Sequence, residues 1–127
     1  MPCETIGCSH IVLNASDVKA SRAFYIDTLE HPLIEEHPQM FSFKAGSVRF
    51  SVFPGGAKLD MKAEQGPNAM IVLCTTHLEE EMERLQKKGV SFAGEIKTAP
   101  GFMRFVEFVD PDNNPLCLAQ YLRDPQQ

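Results

Sequence analysis

The sequence predicts an α+β fold of two βαβββ modules, which form a curved mixed sheet around a cup with the helices outside. Two observations predict this fold. A short apolar strand, a helix cap and an amphipathic helix follow one another twice, once from residue 10 and once from residue 70. Three strand-like segments come next each time, so the chain is an internal repeat. Neither half can bury a sheet face behind one helix alone, and we therefore expect the halves to pack around a shared hollow.

We expect one domain over residues 1–127, because a chain of this size buries roughly two-thirds of its unfolded surface. Module 1 covers about residues 7–54, a linker covers residues 55–67, and module 2 covers about residues 68–122. The linker is predicted because glycine, proline and charged residues replace the periodic apolar pattern in that stretch.

The first strand and the first helix open module 1. The β-branched apolar run at residues 11–13 predicts the strand. Asn14, Ser16 and Asp17 then supply side-chain oxygens that can accept hydrogen bonds from the free amides of a helix start. One apolar stripe of that helix carries Val18, Tyr25 and Leu29. His10 is a polar ring at the mouth of this otherwise apolar strand.

Three further strands complete module 1, at residues 33–36, 40–43 and 48–53. The first of them is short and follows Pro32, which favours the edge of a sheet. Residues 44–47 form a hairpin turn between the other two. Alternation along the last strand gives one face that is apolar enough to be core, with Val48, Phe50 and Val52. The opposite face suits a pocket wall or a solvated surface, with Arg49, Ser51 and Phe53.

Module 2 repeats this order of elements. Residues 69–73 form a strand, Thr75-Thr76 caps the helix, and the helix runs through Lys88. Acidic residues in its first turn, basic residues in its last turn and Gly89 beyond it agree with the helix dipole. Strands follow at residues 90–93, 103–109 and 116–122. The tight turn before the last strand, residues 110–115, gives Asn113 or Asn114 a positive φ.

Composition limits the classes of partner. The chain carries 17 acidic and 12 basic residues, a net charge of −5, without the Lys/Arg cluster that a nucleic acid requires. No apolar window approaches the ~18 residues that a membrane helix needs, and the N-terminus resembles no signal peptide. We expect a cytoplasmic protein that binds neither nucleic acid nor membrane. The cysteines have no zinc or C-x-x-C spacing, and we expect free thiols at Cys3, Cys8, Cys74 and Cys117.

Two stretches, S-H-I-V-L-N-A-S-D-V-K-A-S-R-A-F-Y from residue 9 and F-V-D-P-D-N-N-P-L-C-L-A-Q from residue 108, resemble the vicinal oxygen chelate superfamily. This is the glyoxalase, bleomycin-resistance and extradiol dioxygenase group. The resemblance covers nearly the whole chain. It implies paired βαβββ modules, often in a dimer, and a divalent metal held in the cup by a histidine or similar ligand on the first strand and a glutamate on the last strand of each module.

Carried over by position, the four metal ligands that the resemblance implies fall on His10, Ser51, Met70 and Cys117, and only His10 matches. Borderline and hard divalent cations need imidazole nitrogen and carboxylate oxygen. We therefore predict no cofactor. The alternative is a divalent metal held by the atypical set His10, Glu107 and Cys117. An alignment shifted within the first module would instead bring in Glu35 or Glu36 of a neighbouring strand.

The predicted function is small-molecule binding or sequestration in the cup, in the manner of the bleomycin-resistance members. The alternative is a metal-dependent lyase, isomerase or dioxygenase of the same superfamily. An acidic protein suits a cationic or neutral ligand. The predicted ligand-binding residues are His10, Arg49, Ser51, Phe53, Met70, Phe105, Glu107 and Cys117. Four of them also have a simpler interpretation: core for Cys117 and Met70, a solvated surface for Arg49, and a strand hydrogen bond for His10.

Two further expectations come from the resemblance. The family commonly places a glycine just after the first helix, where this chain has Glu30-His31, so the helix end differs here or Glu30 extends it. The family also suggests a homodimer, in which the modules of one chain close on each other or exchange with those of a partner.

Overall fold

The structure is a computed structural model that describes residue 5, residues 7–61 and residues 68–122. The predicted free thiol at Cys3 and the second half of the predicted linker, residues 62–67, lie outside the described residues. The chain divides into two compact units, Met1–Ala57 and Lys58–Gln127.

Unit 1 has the predicted βαβββ order. Its strands are β1 (Ile11–Ala15), β2 (Leu33–His37), β3 (Met40–Ala45) and β4 (Val48–Pro54), and its helix α1 (Val18–Arg22) continues as a π-helical segment, Ala23–Thr28. The strand order in this first sheet is β1-β4-β3-β2. The sheet is mixed, because β1 pairs with β4 in parallel and the other pairs are antiparallel. The position of β2 at the edge confirms the prediction from Pro32.

The side chain of Asp17 caps the start of α1. Its Oδ1 accepts hydrogen bonds from the backbone amides of Lys19 and Ala20, at 3.1 and 3.2 Å. Two of the amides that have no intrahelical partner are thereby satisfied. Asp17 is the N-cap residue, so one of the three capping candidates performs the predicted role.

Aromatic stacking joins the helical segment to the first sheet. Tyr25 stacks on Phe43 with ring centroids 4.8 Å apart, and Phe43 stacks on Phe50 at 5.2 Å. The register places Phe43 opposite Phe50 and Phe41 opposite Val52, and all of these side chains are buried. The helix therefore covers the face that carries Phe50 and Val52, as their alternation predicted.

The end of the first helical segment has a strained residue. Glu30 follows Leu29, the C-cap residue, and has a φ of 61°. This left-handed conformation is where helices usually place glycine. Gly89, just past the helix of unit 2, has a φ of 97°. The helix therefore does not extend through Glu30, and the backbone keeps there the left-handed turn that glycine adopts most easily.

Replacing Glu30 with glycine is expected to stabilise the protein by about 0.5–1 kcal/mol. The left-handed conformation costs a non-glycine residue roughly 1–2 kcal/mol, and the extra freedom of glycine in the unfolded chain offsets part of the gain. Urea unfolding measures the change. Glu30→Ala is the matched control, because it removes the same side chain and keeps the strain. A Glu30→Gly variant no more stable than Glu30→Ala would contradict the expectation.

Unit 2 repeats the topology. Its strands are β5 (Ile71–Cys74), β6 (Phe92–Ala99), β7 (Met103–Val109) and β8 (Pro115–Tyr121), and its helix is α2 (Leu78–Lys87). The strand order in this second sheet is β5-β8-β7-β6, which is the order of the first sheet. The predicted α+β class and the βαβββ pattern are both confirmed. β6 begins at Phe92 rather than at residue 90 and continues to Ala99, so it is longer than predicted.

The cap of α2 differs from the prediction. His77 is the N-cap residue, without a side-chain cap hydrogen bond, and the hydroxyl of Thr75 accepts from the His77 amide rather than from the helix. The amide of Leu78 donates instead to Oε1 of Gln120 on β8, at 3.0 Å. A residue 42 positions away thus satisfies the helix start, which the local Thr-Thr pattern could not reveal.

The turn between β7 and β8 also anchors the residues that follow unit 1. Oδ1 of Asp110 accepts from the amides of Asp112 and Asn114, at 2.9 and 2.8 Å. Asn113 has a φ of 64°, as one of the two predicted candidates. The backbone amide of Leu59 donates to the carbonyl of Asp112, and Nδ2 of Asn113 donates to the carbonyl of Leu59.

In the described part of the chain, neither helix has the length and apolar character to cross a membrane.

Candidate functional site

The first sheet has a polar face on the side opposite its helix. Along β4, Arg49, Ser51 and Phe53 alternate with Phe50 and Val52, which are buried on the face where Tyr25 packs. The three side chains therefore share the helix-free face, as their alternation predicted.

A chain of three side chains crosses the middle of that face. Nδ1 of His10 lies 2.8 Å from Oγ of Ser51, and Oγ of Ser51 lies 2.9 Å from Oγ of Ser42 on the neighbouring strand. Ser42 is 0% exposed and Ser51 is 1% exposed, whereas His10 is exposed. This His10–Ser51–Ser42 chain leads from an accessible imidazole to two buried hydroxyls.

A second polar group lies on the same sheet, towards its β2 edge. Nη2 of Arg49 donates to Oε2 of Glu35 at 3.0 Å, and Oε1 of Glu35 accepts from Nε2 of His37 at 2.8 Å. The hydrogen bond from His37, together with its charge and the charge of Arg49, lowers the pKa of the Glu35 carboxyl. Nε of Arg49 is buried and has no hydrogen-bond partner within the described part of the chain.

Apolar side chains border these polar groups. Val12 lies opposite Ser51 in the register of β1 and β4, and it is 48% exposed. Phe53, two residues along β4, is 37% exposed. The helix-free face of the first sheet thus combines hydrogen-bonding groups with exposed apolar surface, which is the mixture that small-molecule sites use.

The second sheet has a corresponding face. The register places Cys117 on β8 opposite Val72 on one side and Glu107 on the other, and it places Phe105 opposite Ala119. Cys117, Glu107 and Phe105 alternate with the residues that form the core of this unit, so these three predicted site residues share one face. Met70 directly precedes β5 and is exposed.

Cys117 is a buried, protonated thiol. It is 1% exposed, and burial, assisted by the negative charge of Glu107, raises the pKa of Cys117 to about 11. The thiolate is the form that binds metals and attacks electrophiles. Cys117 in this environment is therefore not an activated nucleophile.

The two registers place equivalent residues at equivalent positions. Ser51 lies between Val12 and Ser42 in the first sheet, and Cys117 lies between Val72 and Glu107 in the second. The family resemblance implies that Ser51 and Cys117 occupy equivalent positions in the two modules, and the strand pairing places them so. Ser42 and Glu107 then correspond as well, which the sequence comparison did not identify.

The donors present do not fit a divalent metal. At the four family positions, the structure places an imidazole whose Nδ1 is hydrogen-bonded to a serine, a buried serine hydroxyl, a thioether and a buried thiol. Such cations bind imidazole and carboxylate groups. Among the residues that the structure describes, no three His, Cys, Asp or Glu side chains are grouped to hold an ion. The acids of the shifted alignment are also engaged, since Glu35 pairs with Arg49 and Glu36 pairs with Arg22.

Sequence reasoning missed Ser42, Glu35 and His37 as parts of the polar face. Ser42 had one local signal, because it alternates with the buried Phe41 and Phe43 and so had to lie on the opposite face. The pairing of Glu35 with Arg49 had no such signal, because the two residues lie on strands that are separated by β3.

Comparisons with known proteins agree with this topology. Residues 7–118 match the sequence model of the Glyoxalase/Bleomycin resistance protein/Dioxygenase superfamily. No curated protein matches the chain.

Solved structures with a similar fold include three proteins of 19–22% identity. A glyoxalase/bleomycin resistance protein/dioxygenase from Nocardioides is 19% identical, with a TM-score of 0.73 over 99% of this chain and 91% of that one. The glyoxalase family protein from Enterococcus faecalis is 22% identical, with a TM-score of 0.71 over 90% and 97%. Lactoylglutathione lyase from Agrobacterium tumefaciens is 19% identical, with a TM-score of 0.67 over 92% and 95%. At these identities the neighbours show the fold alone.

Proposed function

The chain belongs to the glyoxalase/bleomycin resistance protein/dioxygenase superfamily, and from this premise we propose that it binds or sequesters a small molecule without the family's divalent metal. The observation that carries the proposal is the chemistry of the donors. Ser51 is hydrogen-bonded to both His10 and Ser42, and Cys117 is a buried thiol with a pKa of about 11. These positions correspond to those where the family resemblance implies carboxylates.

The proposed ligand carries both apolar and hydrogen-bonding groups. The helix-free face of the first sheet offers His10 and Arg49 beside the exposed Val12 and Phe53. The helix-free face of the second sheet offers Phe105 and Glu107, and exposed Met70 precedes its first strand. The net charge of −5 favours a neutral or cationic molecule over an anion at long range.

The experiment is a ligand-stabilisation screen of the purified protein, run with and without divalent metals and combined with metal analysis by mass spectrometry. We expect less than stoichiometric metal, and a rise in the unfolding temperature with amphipathic or aromatic molecules that does not need added metal. The rise is expected to be lost in His10→Ala. His77→Ala is the matched control, because His77 is an exposed histidine without a cap hydrogen bond.

The alternative function is a metal-dependent lyase, isomerase or dioxygenase with His10, Glu107 and Cys117 as ligands. The pairing of Glu107 with Cys117 across β7 and β8 is the observation in its favour. Stoichiometric nickel, zinc, iron or manganese that is lost in His10→Ala would replace the proposal with this alternative. The metal analysis therefore decides between the two functions before any ligand is known.

A homodimer and a cytoplasmic location are parts of the same proposal, and both rest on the sequence and on the family. Light scattering after size exclusion tests the first. A mass of twice the chain mass of 14.2 kDa is expected. A monomer at all concentrations would rule out the exchange of modules between partners.

A further inference from the structure

We propose that Glu107, on the helix-free face of the second sheet, binds a cationic group of the ligand, such as a protonated amine or a guanidinium. This role rests on the proposed function, because it specifies the chemistry of the small molecule that the protein binds. One feature of Glu107 points to it: the side chain is partly buried, and its carboxylate has no hydrogen bond or ion pair within the described residues.

The other acids that are partly or fully buried in the described part of the chain have partners. Oδ1 of Asp110 accepts two backbone hydrogen bonds, Asp112 has a partner of its own, and Glu81 pairs with Arg84. A carboxylate that loses part of its hydration shell usually recovers the lost interactions through a donor or a cation. The charge of Glu107 is not used in this way by the residues described, and it is therefore available to a ligand.

The side chains around Glu107 are apolar or uncharged. Phe105 and Val109 lie two residues away along β7, so they share its face of the sheet. Across the neighbouring strands, the register places Cys117 of β8 and Ala93 of β6 opposite Glu107. The negative charge of Glu107 contributes to the raised pKa of the Cys117 thiol. This face therefore presents a negative charge that is set among apolar side chains.

Such a surface favours a ligand that carries a cation next to an apolar body. An apolar or anionic group placed over Glu107 would remove water from the carboxylate without replacing its interactions, which is unfavourable. A protonated amine or a guanidinium instead forms a charge-assisted hydrogen bond, while Phe105 offers an aromatic surface to the apolar part of the ligand. One basic residue, Lys97, lies opposite Phe105 on β6, but it is exposed and makes no ion pair with Glu107. In the first sheet, by contrast, Glu35 is already paired with Arg49.

The test compares two probes of similar size and different charge, phenethylamine and phenethyl alcohol. NMR titration in a buffer with chelator measures their affinities for the unmodified protein and for Glu107→Gln. We expect the amine to bind about tenfold more tightly than the alcohol, which is the size of effect that a charge-assisted hydrogen bond produces. Glu107→Gln keeps the size of the side chain and removes its charge, so the preference for the amine is expected to disappear. Glu107→Thr also removes the charge and serves if Glu107→Gln does not fold.

Glu95→Gln is the matched control, because Glu95 is an exposed acid on β6 of the same unit. It changes the net charge of the protein by the same amount and is expected to keep the preference for the amine, which separates binding at Glu107 from a general attraction of cations to an acidic protein. Equal affinities of the two probes, no binding of the amine at ~10 mM, or a preference that survives Glu107→Gln would overturn the role of Glu107. A ligand screen that yields only neutral or anionic molecules would also overturn this role but would leave the proposed function in place.

Discussion

Replacing Phe43 with alanine is expected to lower the free energy of unfolding by about 4 kcal/mol, the largest effect on stability that we expect for a single substitution. Phe43 is 1% exposed and stacks on both Tyr25 and Phe50, at 4.8 and 5.2 Å between ring centroids. His31 also stacks on this ring, at 5.5 Å. The substitution thus removes the ring that joins the helical segment to the sheet and leaves a cavity in its place.

Phe53→Ala is the control for this prediction. Phe53 lies in the same sheet and has the same side chain, but it is 37% exposed on the helix-free face. Its loss is expected to change the free energy of unfolding by ~1 kcal/mol or less. Urea unfolding monitored by circular dichroism measures both variants, and Phe43→Leu serves if Phe43→Ala does not fold. Equal losses for the two phenylalanines would show that the stacked rings are not the centre of this core.

Cys117 is expected to react with iodoacetamide at least a hundredfold more slowly in the folded protein than in the unfolded chain. Burial and the charge of Glu107 raise its pKa from 9.0 to about 11, and at pH 7.5 a rise of 2 units reduces the thiolate fraction about a hundredfold. Restricted access slows the reaction further. The variant Cys3→Ser/Cys8→Ser/Cys74→Ser isolates this thiol, and mass spectrometry follows its alkylation.

The matched variant for reactivity keeps Cys74 and replaces the other three cysteines with serine. Cys74 is exposed, so its rate is expected to stay close to the unfolded rate. If Cys117 reacted as fast as Cys74, its thiol would not be buried in solution. Cys117 would then again be a candidate nucleophile or metal ligand.

The same pKa shift predicts how stability depends on pH. Because the folded state holds the Cys117 proton more tightly than the unfolded state does, this contribution to stability is complete below pH 9 and is lost as the pH rises through about 11. Cys117→Ser removes this titration. Between pH 8 and pH 11, the urea midpoint of the unmodified protein is expected to fall relative to that of Cys117→Ser. A constant difference would contradict the raised pKa.

The two sheets carry different side chains at equivalent positions. Each sheet presents one helix-free face with equivalent positions, but the first carries Ser51 beside Ser42 and the second carries Cys117 beside Glu107. Neither pair supplies both an imidazole and a carboxylate, the groups that a divalent cation prefers. In the first sheet Ser51 is hydrogen-bonded to a histidine, whereas in the second sheet burial, assisted by the charge of Glu107, raises the pKa of the Cys117 thiol.

The local pattern of residues was enough to predict the order of the elements and the face on which most side chains lie. A period of two along β4 separated Phe50 and Val52 from Arg49 and Ser51, and Asp17 marked the start of α1. These features depend on neighbours within a few positions, which the sequence shows directly. The equivalence of Ser51 and Cys117 came from the family resemblance rather than from the local pattern.

The tertiary structure alone decided which side chains meet. The contact of His10 with Ser51 joins residues 41 positions apart, and the cap that Gln120 gives to Leu78 joins residues 42 apart. Such contacts depend on strand register, which is set by the burial of a whole sheet face rather than by any local motif. For the same reason the raised pKa of Cys117 could not be predicted, because it depends on burial and on Glu107 of the adjacent strand.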